Sequence, residues 1–306
     1  MNLTTLRSNH SDIMNCEVKD STGLNDFQKL SNEFGIAIPK VGIERFRIPL
    51  RFLHSDGTIM SHDCEASMFV FCDADKNGVN MSRFCTILQE ESEQGDIDSK
   101  FFKSILRRYR ADLRDNNSEE LIPESFLKLN FRYPIKQKSL KSNNWGWQYY
   151  ECSLEGHENK DGQIDMSLTI NYEYSSTCPC SLSMAKQYEQ SHANNEITEG
   201  NGIATAHSQR SNAIVTIKYN VEKPVSINRL IELMRKAIPT ETQSLVKRID
   251  EQAFAILNGE NPMFVEHASR RISTVLNQEE SIIHWSAKVE HFESLHSHNA
   301  VAYISK

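Results

Sequence analysis

The sequence predicts an α+β protein built on antiparallel sheets. Three observations lead there. Alternating apolar runs bounded by turn residues come in adjacent pairs, which suits hairpins rather than crossover units. Helical spacing is concentrated in blocks between those pairs. The order strand, strand, helices, strand, strand then occurs twice, although no repeat is visible in the residues themselves.

Residues 1 to about 40 hold few apolar positions and no sustained period, and read as an irregular arm with one short helix near Asp26 to Phe34. Arg45 to His54 and Ser67 to Asp73 read as paired strands, with Ser55, Asp56 and Gly57 starting the turn between them. Asp98 to Leu113 sets Phe101, Phe102, Ile105, Leu106 and Tyr109 at helical spacing, and Asp98 or Ser99 suits the N-cap. Leu127 to Ile135 alternates Leu127, Leu129, Phe131 and Tyr133 with polar residues, and Trp145 to Leu154 follows as another strand. The polar cluster Gly156 to Gly162 divides the chain after the arm into a first module, residues 41–157, and a second, residues 158–306. In the second, Gln163 to Tyr174 and Asn212 to Asn220 read as strands. Ile227 to Ile238, Gln243 to Leu257 and Phe264 to Leu276 read as helices, with Glu260, Asn261 and Pro262 breaking the last two apart. Ser281 to Phe292 and Ala300 to Ser305 close the chain as strands.

A length of 306 residues is more than one small core needs, and 39% apolar with 25% charged residues is ordinary for a globular chain. No run approaches the roughly 20 apolar residues a spanning helix demands. Met1 to Ser21 lacks the basic-then-apolar pattern of a secretory signal, so cytoplasmic residence without membrane association is expected. The formal net charge of −7 argues against a general nucleic-acid binder, which needs a basic face for counterion release. Seven cysteines, an odd number, argue against a disulfide framework.

The densest chemical signal is Thr177-Cys178-Pro179-Cys180-Ser181, directly after a strand. Two thiols one residue apart, with Pro179 stiffening the backbone between them, are held apart more than in a zinc-knuckle turn. One thiolate on a metal and one free for substrate is the functional reading; two packing cysteines at a strand end is the other. His207 lies 29 positions after Cys178, before a strand, and His296 and His298 share one side of an extended segment near Glu293. Glu251 falls in a helical run and Glu266 opens a helix, where the macrodipole favours an acid anyway. Basic residues group at Arg83, at Lys136, Lys138 and Lys141, and at Arg210, in a way that suits a polyphosphate or a solvated face. No phosphate-binding Gly-rich loop is present, since Gly200-Asn201-Gly202 lacks the following Lys-Ser/Thr.

Taken together, Thr177-Cys178-Pro179-Cys180-Ser181, His207-Ser208-Gln209-Arg210-Ser211, Asp250-Glu251, Phe264-Val265-Glu266 and Glu293-Ser294-Leu295-His296-Ser297-His298 resemble the prokaryotic type IB GTP cyclohydrolase I family. Leu24 to Gln28, Lys40 to Ile43 and Met81-Ser82-Arg83 resemble it too, so the similarity runs from about residue 24 to the C-terminus. The resemblance implies a tunnelling fold, with two β-β-helices-β-β modules per chain assembling into a barrel across subunits. It also implies a homotetramer with active sites between subunits. The implied reaction opens GTP hydrolytically at C8, releases formate and recloses the product as 7,8-dihydroneopterin triphosphate, which feeds folate and deazaguanine pathways.

By motif, the resemblance implies that Cys178, His207 and Glu251 hold one divalent metal (manganese, iron or zinc), with His296 near or on it. Cys180 is then the free thiol near the purine C8, and Glu266 anchors the guanine edge. Arg210, Glu293 and His298 complete the substrate contacts. Two departures stand out. The family writes Gly-x-His-Met-Ser-Arg where this chain has Gly78-Val79-Asn80-Met81-Ser82-Arg83, so Asn80 replaces a histidine. Ser191 to Thr205 is longer than in compact members and reads as a polar loop. Two alternatives stay open on the residues alone. A nitrile reductase of the same fold needs one nucleophilic cysteine, NADPH and no metal. A non-catalytic purine- or pterin-binding member would close Cys178 into a four-ligand structural site.

Overall fold

The computed structural model describes residues 16–19, 22–26, 28, 30, 34–54, 56–114 and 120–306. The short helix expected near Asp26 to Phe34 lies largely outside the described residues. Eight strands and six helices are found among those described: β1 (Ile38–Leu53), β2 (Ile59–Cys72), α1 (Met81–Gln94), α2 (Ser99–Asp112), β3 (Ser125–Lys138), β4 (Trp145–Glu158), β5 (Ile164–Thr177), α3 (Pro179–Ala193), β6 (Ser208–Tyr219), α4 (Ile227–Ala237), α5 (Arg248–Glu260), α6 (Val265–Asn277), β7 (Ile282–His291) and β8 (Ala300–Ser305). Each strand lies beside the next in chain order. Pairing is antiparallel in β1–β2, β5–β6, β6–β7 and β7–β8. No helix among the described residues is long and apolar enough to cross a membrane.

The chain divides into two compact units, Met1–Leu129 with Glu155–Ile164, and Asn130–Leu154 with Asp165–Lys306. In the first, the strand period of two puts Cys64, Ala66, Met68, Val70 and Cys72 of β2 on one buried face. The buried faces of α1 (Phe84, Ile87, Leu88) and of α2 (Phe101, Phe102, Ile105, Leu106, Tyr109) supply its helical core. Asp98 caps α2 as its spacing predicts, accepting from the backbone N–H of Lys100 and Phe101 at 2.8 Å each. Gly42 is required where it stands, because a Cβ there would run into the Met68 carbonyl on the paired strand.

In the second unit β5 buries Met166, Leu168, Ile170, Tyr172 and Tyr174, and β6 buries Ala213, Val215, Ile217 and Tyr219. Helices α4 and α6 are strongly amphipathic and bury Leu230, Ile231, Met234, Ala268, Ile272 and Leu276. Strands β1 and β2 begin seven and eight residues before the runs read from the sequence, and three further elements differ more. No helix was expected over Met81–Gln94, although Phe84, Ile87 and Leu88 carry its spacing. Nor was α3 expected: it is polar nearly all round and buries only Ala185, so it shows no apolar stripe. Its one local signal is Pro179 in the first turn. Because α3 extends to Ala193, only the later part of Ser191 to Thr205 is loop.

The third difference bears on the site. The helix expected from Gln243 begins only at Arg248. Residues 240–242 instead lie along β5, where the Ser175 N–H donates to the Thr240 carbonyl at 2.8 Å, the Thr240 hydroxyl donates to the Ser175 carbonyl at 2.6 Å, and the Thr242 N–H reaches the Glu173 carbonyl at 3.2 Å. Buried Glu241 fixes this stretch, accepting from Gln137 Nε2 and Arg235 Nε at 2.8 Å each and from the Tyr150 hydroxyl. Gly146 on β4 leaves room for Ser244 and Leu245, which a Cβ there would strike. Asp250 then sets the start of α5: its carboxylate accepts the backbone N–H of Lys141 at 2.7 Å, of Ser142 at 2.9 Å and of Lys247 at 2.8 Å. Burial alone would raise the Asp250 carboxyl; hydrogen bonds from Ser142, Lys247 and Lys141 outweigh that and hold it well below the usual carboxylate range.

Candidate active site

Antiparallel pairing of β5 with β6 brings the two densest motifs together. Thr177 pairs with Ser208 at the end of the ladder, and one step further the Cys178 N–H donates to the His207 carbonyl at 3.2 Å. Hydroxyls reinforce this corner, with Thr177 Oγ1 and Ser208 Oγ 2.7 Å apart. Cys178 is the N-cap of α3, and Pro179 and Cys180 form its first turn. Cys178 is half-buried and Cys180 exposed, so the two thiols differ in their access to solvent. On the other side the Met263 N–H donates to the Thr177 carbonyl at 3.0 Å, seating the start of α6 beside the same strand end.

A pocket of about 200 Å³ results, lined by Cys178, Gln209, Phe264, Glu266, His291 and Glu293 among others. Cys178 and Glu266 both reach it. His207 meets the Glu293 carboxylate at 3.7 Å from Nδ1, and the same nitrogen lies 2.9 Å from Gln209 Oε1. At the base, buried His291 holds the Tyr174 hydroxyl through Nε2 at 2.9 Å. Burial pushes the His291 imidazole down to about 4, with Glu266 pulling weakly the other way.

The remaining predicted residues are placed elsewhere in the chain. Glu251 is exposed in the first turn of α5, which at 1.5 Å per residue is about 14 Å along the helix from its C-terminal end. His296 and His298 are exposed in the β7–β8 connection and stack on each other with ring centroids 4.8 Å apart. Arg210 alternates with Gln209 and Ser211 along β6, so it faces away from their buried side and meets Glu173 at 3.9 Å. Among the described residues, no three His, Cys, Asp or Glu side chains of the single chain converge closely enough to hold a metal ion. Cys178 with His207 is therefore the pair the single chain assembles. Gln209, Ser176 and His291 have no role in the sequence-based reading; the signal for Gln209 is its spacing of two from His207 on a strand.

The donor chemistry of this corner fits a metal. A ligating imidazole ordinarily donates its second ring N–H to an oxygen, and Gln209 and Glu293 offer such oxygens to Nδ1, which leaves Nε2 as the nitrogen for a metal.

Comparison with known proteins gives a consistent picture. The family model for type I GTP cyclohydrolase FolE2 matches residues 24–302. A GTP cyclohydrolase FolE2 of Cereibacter sphaeroides is 37% identical over 269 residues, covering 88% of this chain and 70% of that protein. One of Hydrogenovibrio crunogenus is 33% identical over 282 residues, covering 87% of this chain and 88% of that protein. Among solved structures, a hyper-thermostable AgUricase mutant superposes with a TM-score of 0.52 at 9% identity, over 88% of this chain and 91% of that one. That likeness establishes the tunnelling fold. The match of the family model across nearly the whole chain, with Cys178 and His207 brought together by the β5–β6 register, places this protein in the type I GTP cyclohydrolase FolE2 family.

Proposed function

We infer that this protein is a type IB GTP cyclohydrolase I, opening GTP at C8, releasing formate and reclosing the product as 7,8-dihydroneopterin triphosphate. The observation that carries the reading is that Cys178, tied to His207 by the strand ladder, lines one pocket together with Glu266. Cys178, His207 and Glu251 hold one divalent metal (manganese, iron or zinc), with His296 near it. That ion, when bound, supplies Lewis-acid activation of water. Thiolate, imidazole and carboxylate together do not select strongly among these metals.

This chain's own residues do the rest. Glu266 accepts hydrogen bonds from the guanine N1–H and 2-amino group, for which two carboxylate oxygens are suited. Cys180, exposed in the first turn of α3, contacts the purine near C8 and moves protons there. Glu293 and His298 bind substrate, and Arg210 takes part of the triphosphate charge.

Pockets that enclose a whole ligand run to roughly 300–1,000 Å³. A pocket of about 200 Å³ suits the base and leaves the ribose and triphosphate outside it. The resemblance implies active sites between subunits of a homotetramer, and the exposed Glu251, Ile249 and Ile256 on α5 are open to a neighbouring subunit there. Within each chain, residues 41–157 and 158–306 act as the two modules, the second carrying the metal and base residues. An assay of formate release from GTP tests the reading. Formate is expected; NADPH oxidation with a deazaguanine nitrile, and no formate, would replace it with the reductase.

A further inference from the structure

We propose that Gln209 is the positioning residue of His207: its side-chain amide fixes the imidazole so that Nδ1 carries the proton and Nε2 presents a bare electron pair to the metal. The proposal deepens the reading above and rests on it, since it takes His207 to be a ligand.

The geometry comes from three linked contacts. His207 Nδ1 lies 2.9 Å from Gln209 Oε1. At its other end the same amide donates Nε2–H to Ser176 Oγ at 2.9 Å. Ser176 Oγ is in turn 2.7 Å from Ser211 Oγ. Gln209 is 9% exposed, and Ser176 and Ser211 not at all, so the chain of contacts is shielded from water. A buried amide has four hydrogen-bonding sites to satisfy and keeps its orientation only where the surroundings meet them.

A serine hydroxyl can donate or accept, so the two serines alone would also permit the amide turned over. In that case its N–H₂ would face Nδ1, the ring proton would sit on Nε2, and no ring electron pair would be left for a metal. Glu293 decides between the two. Its Oε2 lies 3.7 Å from the same Nδ1, and a carboxylate there favours a proton on that nitrogen. Oε1 of Gln209 then accepts that proton's hydrogen bond, and Nε2–H turns toward Ser176. The strand geometry makes this possible: Gln209 is two residues beyond His207 and points inward from β6, while Ser176 faces it across the ladder on β5.

Groups that hold a ligand's second nitrogen typically change metal affinity 10- to 100-fold when removed. The test is zinc affinity of the full-length protein, read by competition with a chromophoric chelator, with the thermal midpoint of the metal-free form measured alongside. Gln209→Leu should bind zinc about 10- to 100-fold more weakly at a nearly unchanged metal-free midpoint. Gln209→Glu, which keeps the acceptor, should bind within a few-fold of wild type. Ser176→Ala, a small change that frees the far end of the amide, should weaken zinc by several-fold and stands in if the leucine variant does not fold. Wild-type affinity in Gln209→Leu or, in its place, Ser176→Ala would overturn the proposal, as would a glutamate variant as weak as the leucine one. His207→Ala separates the two levels: unchanged zinc affinity there would remove the ligand reading itself.

Discussion

Cys178 and His207, 29 positions apart in sequence, are joined by one backbone hydrogen bond of 3.2 Å from the cysteine N–H to the histidine carbonyl. That bond continues the β5–β6 ladder by one step, so the separation of the two side chains is set by strand register rather than by a flexible loop. The long connection between them is α3 and the residues after it, and Ser181 in the first turn of α3 accepts the His207 N–H at 3.2 Å. Tyr188 ties that connection back, its hydroxyl donating to the Glu199 carbonyl at 2.8 Å.

The two thiols separate in their expected effects. Cys180→Ala should lower kcat by at least about 100-fold, the lower range for a lost proton-transfer group, with bound metal near wild type. Cys178→Ala should lose metal and activity together. Metal analysis beside turnover reads both; near-full activity in Cys180→Ala would reverse the assignment.

Acid should act on the floor of the pocket through His291. Its folded value of about 4 lies below the ordinary histidine value of 6.5, so the unfolded chain takes up the proton first. Stability from keeping this ring neutral is present in full above pH 6.5 and is lost as pH falls toward 4. Linkage puts the loss at about 2–3 kcal/mol between pH 7 and pH 4.5. Urea unfolding of wild type and His291→Gln at both pH values checks this; the variant should lose that part of the slope.

Asp250 should govern how firmly α5 begins. In Asp250→Asn the Lys141 and Ser142 amides lose their ionised acceptor and should exchange with solvent roughly tenfold faster or more. Zinc affinity should fall with it, because the neighbouring Glu251 loses its fixed origin. Hydrogen exchange resolved at the β3–β4 turn reads the first effect, and unaltered protection there would sink the idea.

A buried ion pair anchors the first unit. Arg110 and Glu158 are 5% and 3% exposed, and the guanidinium also donates to the Ile122 carbonyl at 2.7 Å and the Lys160 carbonyl at 3.2 Å. Arg110→Leu leaves Glu158 with Arg107 at 4.0 Å and should cost about 3–5 kcal/mol. Arg110→Leu with Glu158→Leu should recover much of that, and denaturant midpoints of the single and double variants decide it.

Much of this architecture is legible in the residues. The alternation of β5 and β6 and the apolar stripes of α2, α4 and α6 are strong periodic signals, and the elements follow them within a few residues. Helix α3 is not legible in that way, because a helix polar on nearly every side has no stripe to read. The late start of α5 depends on Glu241 and Asp250 finding Gln137, Tyr150, Lys141 and Ser142, about a hundred residues away in sequence. The same holds for Gln209 and Ser176: residue type and spacing suggest a shared face, but only the β5–β6 register makes them partners. Glu251 shows the converse, recognisable by motif yet left exposed by the single chain.

The most direct measurement is GTP turnover by metal-stripped protein with zinc, manganese or ferrous iron restored singly, following formate together with pterin fluorescence after oxidation. Metal-dependent appearance of both products in the wild type, and of neither in Cys178→Ala, is the expected result. Absence of both products in the wild type with every metal would contradict the assignment of the Cys178–His207 corner as the site of GTP ring opening.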